Sequence, residues 1–154
     1  MCIRDRLGPD QGRKVYSKKL NSLVERYSLT KKVKFVNHCR EMPLAYSLAD
    51  VVVSASIEPE AFGRVAVESQ SMGKPIIASN IGGSKETILN RKSGFLYKHD
   101  DPRDLAKNLN TVIQLNQEEL KLIGIEGRKN VAKKFDVEAM CDSNLREYKK
   151  LLKN

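Results

Sequence analysis

The feature that most restricts the fold of this chain is an alternation. Short apolar runs, Val51-Val52-Val53 and Ile76-Ile77-Ala78, are separated by stretches whose apolar residues recur at helical spacing. Near-continuous apolar strands of this kind are buried on both faces, and strands that alternate with helices pair in parallel. The chain therefore reads as α/β, a parallel sheet with flanking helices. With 154 residues, 40% hydrophobic and 31% charged, it has the material for one ordered domain and is not a disordered segment. No run approaches the roughly 20 apolar residues of a spanning helix, and no apolar signal core follows the first residues. Cys2, Cys39 and Cys141 are odd in number and scattered, so neither a disulfide framework nor zinc spacing is present. A cytoplasmic setting is expected.

Along the chain, strands are predicted over 33–36, 51–53, 76–78 and 94–97. Helices are predicted over 13–27, 42–49, 63–72, 84–89, 102–115, 117–134 and 137–152. The first helix carries Tyr16, Leu20, Leu23, Val24 and Tyr27 on one face. Gly73 is placed to end a helix in the left-handed conformation, with Pro75 beyond it. Asp101-Pro102-Arg103-Asp104 is a helix start, with an Asp cap, Pro at the first position and an acid at the third. Residues 1–6, Met-Cys-Ile-Arg-Asp-Arg, read as the translation of a sequencing-library adapter and are expected to lie outside the domain. The domain proper is 7–154, entered at Leu7-Gly8 as though a strand has just ended.

The segment that carries chemistry is Glu58-Pro59-Glu60-Ala61-Phe62-Gly63-Arg64-Val65-Ala66-Val67-Glu68. It lies where a buried strand hands over to a helix, the edge at which open α/β sheets bind ligands. The helix would rise roughly 7.5 Å from Gly63 to Glu68. Free amides of Phe62, Gly63 and Arg64 at its start favour an anion, with Gly63 permitting close approach. Two carboxylates flanking an amide cluster suit a ligand with hydroxyls at both ends and phosphate between, the layout of a nucleotide-sugar. The plain alternative is that one glutamate answers the helix dipole and the other is a solvated mid-helix residue.

Glu60-(seven residues)-Glu68, the enclosed Phe62-Gly63, and Gly73-Lys74-Pro75-Ile76-Ile77-Ala78-Ser79 together resemble the C-terminal domain of family 4 retaining glycosyltransferases. Ile81-Gly82-Gly83-Ser84-Lys85-Glu86, Gly94-Phe95-Leu96 and the stretch 42–56 extend the likeness. The resemblance implies the GT-B fold, two Rossmann-like domains with the donor held by the second. It implies that Glu68 holds the two ribose hydroxyls and that Glu60, the expected catalytic residue, contacts hydroxyls of the donor sugar. Backbone groups of Ala61, Phe62 and Gly63 would line the same site. Arg64 and Val65 would begin the helix under the diphosphate, Arg40 would follow the strand that meets the base, and Gly82 and Gly83 would border the cleft. The donor would be a UDP-, GDP- or ADP-sugar and the acceptor a saccharide or lipid-linked saccharide, as in cell-envelope polysaccharide or lipopolysaccharide synthesis. Neither a metal nor another cofactor is implied.

The family's diphosphate-binding Arg and Lys normally lie near the first strand and helix of this domain, ahead of Leu7. An acceptor-binding N-terminal domain is the partner that the resemblance implies. In a 3-2-1-4-5-6 sheet, loss of the first strand and most of the second would part 33–36 from 51–53. The isolated chain is accordingly expected to be marginally stable and inactive in sugar transfer. An epimerase or phosphorylase of the same fold, or a non-catalytic nucleotide-binding module, is the alternative. His38, Cys39 and His99 do not make a metal set. The net charge is +9, and the C-terminal half is rich in lysine, with Lys129, Lys133, Lys134, Lys149, Lys150 and Lys153. Such a run is first a solvated helix face, and secondly an attraction to an anionic membrane surface, as a peripheral protein of the inner face would use. Interleaved acids, 6% aromatics and no recognition motif argue against nucleic acid.

Overall fold

The structure, a computed structural model, describes residues 4–7, 12, 14–36 and 39–152. Gly8, at the entry to the domain, and His38 lie outside the described residues. The chain divides into two compact units, Met1–Ala45 and Tyr46–Asn154.

In the first unit, strand β1 (Arg4–Leu7) pairs in parallel with β2 (Val33–Val36), Arg4 opposite Val33 and Leu7 opposite Val36. Helix α1 (Lys14–Arg26) connects them, as a parallel crossover requires. Arg4, Asp5 and Arg6 are strand residues. Helix α2 (Met42–Leu48) follows and straddles the boundary of the units.

The second unit is a three-stranded parallel sheet, β3 (Val52–Ser54), β4 (Ile76–Ser79) and β5 (Phe95–Tyr97), in that spatial order. Strands β1 and β2 form one sheet and β3, β4 and β5 another. Helix α3 (Arg64–Ser71) joins β3 to β4, and the short α4 (Ser84–Thr87) lies between β4 and β5. Helices α5 (Pro102–Gln114), α6 (Gln117–Lys134) and α7 (Val137–Leu151) end the chain.

β4 is the centre of the core, and all four of its residues are buried. Because successive side chains leave a strand on opposite faces, Ile76 and Ala78 join Ala66 and Ile88 on one side, while Ile77 joins Phe95, Tyr97 and Val112 on the other. Ile76 and Ile77 are fully enclosed, each stabilising the fold by about 1.5–3 kcal/mol relative to exposure. The expectation that Val51–Val53 is buried on both faces is corrected. β3 is an edge strand of its sheet, and Val53 is 39% exposed.

Local signals end the helices where the sequence places them. Asp101 caps α5, its carboxylate accepting from the amides of Arg103 and Asp104, both at 3.1 Å. Asn116 and Glu119 form a reciprocal capping box on α6. Gly73 adopts φ 69° after α3, and α6 crosses it closely through Gly124.

Candidate functional site

The loops that leave the C-terminal ends of β3 and β4 meet. The Gly83 amide donates to the Glu60 carbonyl at 2.8 Å, tying the two loops backbone to backbone. The contact needs glycine. A β-carbon on Gly82 would lie 2.6 Å from the Glu60 carbonyl oxygen, and one on Gly83 would lie 2.6 Å from the Phe62 carbonyl carbon.

Helix α3 starts from this junction. Its cap is Gly63, in the left-handed region at φ 75° and ψ 55°, whose carbonyl accepts from the Ala66 and Val67 amides. With no cap side chain, the leading amides of the helix are left to an outside acceptor. Those amides and the aligned peptide dipoles make a place for an anion.

Two carboxylates stand on either side of that start. Glu60, half-buried, accepts a hydrogen bond from the Ser56 hydroxyl, which closes the loop on itself. Glu68 lies one turn into α3. Its Oε1 receives Nη2 of Arg64 at 2.9 Å and Nε at 3.2 Å, and its Oε2 receives the Tyr46 hydroxyl at 2.8 Å. Tyr46 is buried, and that burial, with the Glu68 carboxylate beside it, raises its phenol well above the ordinary range of tyrosine.

A buried polar network backs the Gly82-Gly83 loop. The Thr87 hydroxyl and amide both donate to the Gly83 carbonyl at 3.0 Å. The Thr87 carbonyl receives Nε2 of Gln70 and Nδ2 of Asn130, each at 2.9 Å, and Asn130 also donates to Oε1 of Gln70 at 3.1 Å. These bonds fasten α4 to α3 and α6 from behind. Oδ1 of Asn130 is buried without a hydrogen-bond partner.

Residues 11–130 match the family described as glycosyl transferases, group 1. The chain belongs to that family. Among curated relatives, the capsular polysaccharide biosynthesis glycosyltransferase CapM of Staphylococcus aureus is 33% identical over 96 residues, 57% of this chain and 25% of CapM. Among solved structures, a glycosyltransferase from Rickettsia africae ESF-5 superposes with TM-score 0.93 at 32% identity, covering 100% of this chain and 41% of that one. The Anabaena protein HepE, solved with UDP and glucose, gives TM-score 0.88 at 28% identity, covering 96% of this chain and 40% of HepE. The chain thus spans a quarter to two-fifths of the length of these proteins. The parallel sheet with flanking helices is that of GT-B glycosyltransferases.

For this group 1 domain the structure brings Glu60, Ala61, Phe62 and Gly63 against Gly82 and Gly83, and joins Arg64 to Glu68. The side chain of Val65 packs on the core cluster around Ile76, so only its backbone is free to face a ligand. Phe62 stacks edge-on against Phe135, with ring centroids 5.5 Å apart. Arg64 spends its guanidinium on Glu68 and is 83% exposed. Arg40 is exposed in the first unit. Sequence reasoning missed Tyr46, Ser56 and the Gln70–Thr87–Asn130 network. Ser56, four residues before Glu60, is within reach of a spacing argument. Tyr46 is 22 residues from Glu68, and nothing local signals their pairing. Among the described residues, no group of three or more His, Cys, Asp or Glu is gathered to hold a metal, and no helix is long and apolar enough to cross a membrane.

Proposed function

We propose that this chain is the donor-binding part of a retaining glycosyltransferase that moves a hexosyl group from a nucleotide-sugar to a saccharide or lipid-linked acceptor. The observation that carries this reading is the helix start at Gly63, set between two side-chain-anchored carboxylates and against the Gly82-Gly83 loop. Glu68 takes the two ribose hydroxyls, since one carboxylate can accept from both members of a vicinal diol. The leading amides of α3, at Gly63, Arg64 and Val65, face the diphosphate. Glu60 accepts from hydroxyls of the donor sugar, and the backbone of Ala61 and Phe62 shapes that end of the cleft.

In the reaction the bond from the anomeric carbon to the diphosphate oxygen breaks, and the acceptor oxygen bonds to the same face. The products are glycoside, nucleoside diphosphate and a proton. Fixed amides and the helix dipole would favour the charge that develops on the leaving diphosphate. HepE, a neighbour in fold and sequence, has been solved with UDP and with UDP-glucose, which supports a nucleoside-diphosphate sugar as donor. Sugar transfer would draw its acceptor from a further domain such as the longer relatives have room for. This chain alone is expected to bind donor without transferring sugar.

Calorimetric titration of the chain with UDP, GDP, ADP and their sugars tests the reading. Saturable binding to one nucleotide, abolished in Glu68→Ala, is the expected result. A folded chain that binds none of them overturns it.

A further inference from the structure

We propose that Tyr46 is a positioning residue that sets the Glu68 carboxylate in the orientation needed to accept both ribose hydroxyls. The proposal rests on the donor-site reading above and adds a residue from outside the Glu60–Glu68 segment.

A glutamate on the outer part of a helix ordinarily samples several rotamers, and a ligand that needs one of them must order it. Glu68 is held at both oxygens instead, but its two holders differ in kind. Arg64 stands four residues back on the same helix and is 83% exposed. Such a pair forms on any helix with that spacing and is weakened by salt. Tyr46 comes from α2, is 6% exposed, and brings a ring that packing holds still. Its hydroxyl meets Oε2 at 2.8 Å, an ordinary length for a hydrogen bond between oxygens. A tyrosine hydroxyl has one hydrogen to donate, and that hydrogen goes to Oε2. Each carboxylate oxygen has two lone pairs, so Oε2 keeps one acceptor direction, while Oε1 has both taken by Arg64. Two adjacent hydroxyls are accepted when the exposed Arg64 side chain swings off Oε1 and Tyr46 keeps Oε2 in place. Burial and the nearby carboxylate keep Tyr46 in the protonated, donating form. Phenylalanine would fill the core equally well; the hydroxyl is what reaches the site.

A purely structural tie between α2 and α3 would also show this bond, so the test must read the ribose itself. Wild type, Tyr46→Phe and Glu68→Ala are titrated at low temperature with whichever of UDP, GDP and ADP binds best, and with its 2′-deoxy form. Wild type is expected to bind the 2′-deoxy form about 10- to 100-fold more weakly, the range for a hydrogen bond to a charged group. In Tyr46→Phe that ratio should fall to about 3 or less, with ribonucleotide binding weakened several-fold. If Tyr46→Phe does not fold, 4-fluorophenylalanine at position 46 fills the hydroxyl's volume without donating and gives the same reading. Full 2′-hydroxyl discrimination in the position-46 variant, with nucleotide binding abolished in Glu68→Ala, overturns the proposal and leaves the donor site standing. Unchanged nucleotide binding in Glu68→Ala, or no binding by folded wild type, overturns the site reading and this proposal with it.

Discussion

Gly83→Ala tests the junction of the two loops. Gly83 sits at φ −60° and ψ −19°, a conformation any residue adopts, so no backbone strain attaches to the substitution. In a site with room, replacing glycine there would stabilise the protein by about 0.4–1 kcal/mol by restricting the unfolded chain. Here the new methyl would lie 2.6 Å and 2.7 Å from the carbonyl carbon and oxygen of Phe62, and 2.8 Å from the carbonyl oxygen of Ala61. All three are backbone atoms and cannot swing aside as a side-chain end would. Ordinary contact begins at 3.4 Å, so the loop must retreat by about 0.8 Å, the difference between 3.4 and 2.6 Å. That retreat strains the Gly83–Glu60 hydrogen bond. Overpacking of this kind costs about 1–3 kcal/mol, which outweighs the gain from chain restriction. At about 2–4 °C per kcal/mol for a chain of this size, Tm should fall by several degrees. Because the displaced loop carries Glu60 and the cap of α3, nucleotide affinity should drop about tenfold or more, equivalent to 1.4 kcal/mol. Gly63→Ala is the comparison, for its β-carbon would approach nothing closer than 3.6 Å and would cost only the left-handed strain, about 1–2 kcal/mol. A Gly83→Ala protein that melts at or above wild type and binds nucleotide normally would refute the packing argument.

Gly124→Ala and Gly127→Ala both gain about 1 kcal/mol of helix propensity in α6, yet their outcomes should part. The first puts a methyl 2.3 Å from the Gly73 carbonyl oxygen and is expected to destabilise, whereas the second meets Gln70 at 3.2 Å and should be near neutral by urea titration. Asp101→Ala removes the cap of α5 and should cost about 1 kcal/mol, read as a lower Tm. Tyr46 gives an alkaline signature. Its folded pKa lies above the ordinary value of about 10, so its contribution is complete below pH 10 and is lost as pH rises beyond it, because the unfolded phenol ionises first. The stability difference between wild type and Tyr46→Phe should therefore shrink between pH 10 and pH 11 in urea titrations, by at most about 1.4 kcal/mol per pH unit. Parallel curves across that interval would contradict the assignment.

The sequence by itself determined whatever depends on neighbours within about one helical turn. The cap at Asp101 and the left-handed Gly73 are local hydrogen-bond and dihedral choices, and the structure shows both; the Asn116 capping box, which sequence reasoning missed, is equally local. The doubly buried β4 was legible from its apolar run, and the Arg64–Glu68 pair follows from a spacing of four. Tertiary structure decided the rest of the candidate site. Val53 reads like Ile77 in sequence, yet it is exposed because its strand lies at a sheet edge. Val65 reads as part of the helix start, yet its side chain is spent on the core. Glu68 gained its buried phenolic partner, and Gly82 and Gly83 their backbone neighbours, from segments roughly 20 residues away. Such partners are chosen by packing around β4, where apolar burial fixes which loops must touch. No periodicity in a single segment encodes that choice.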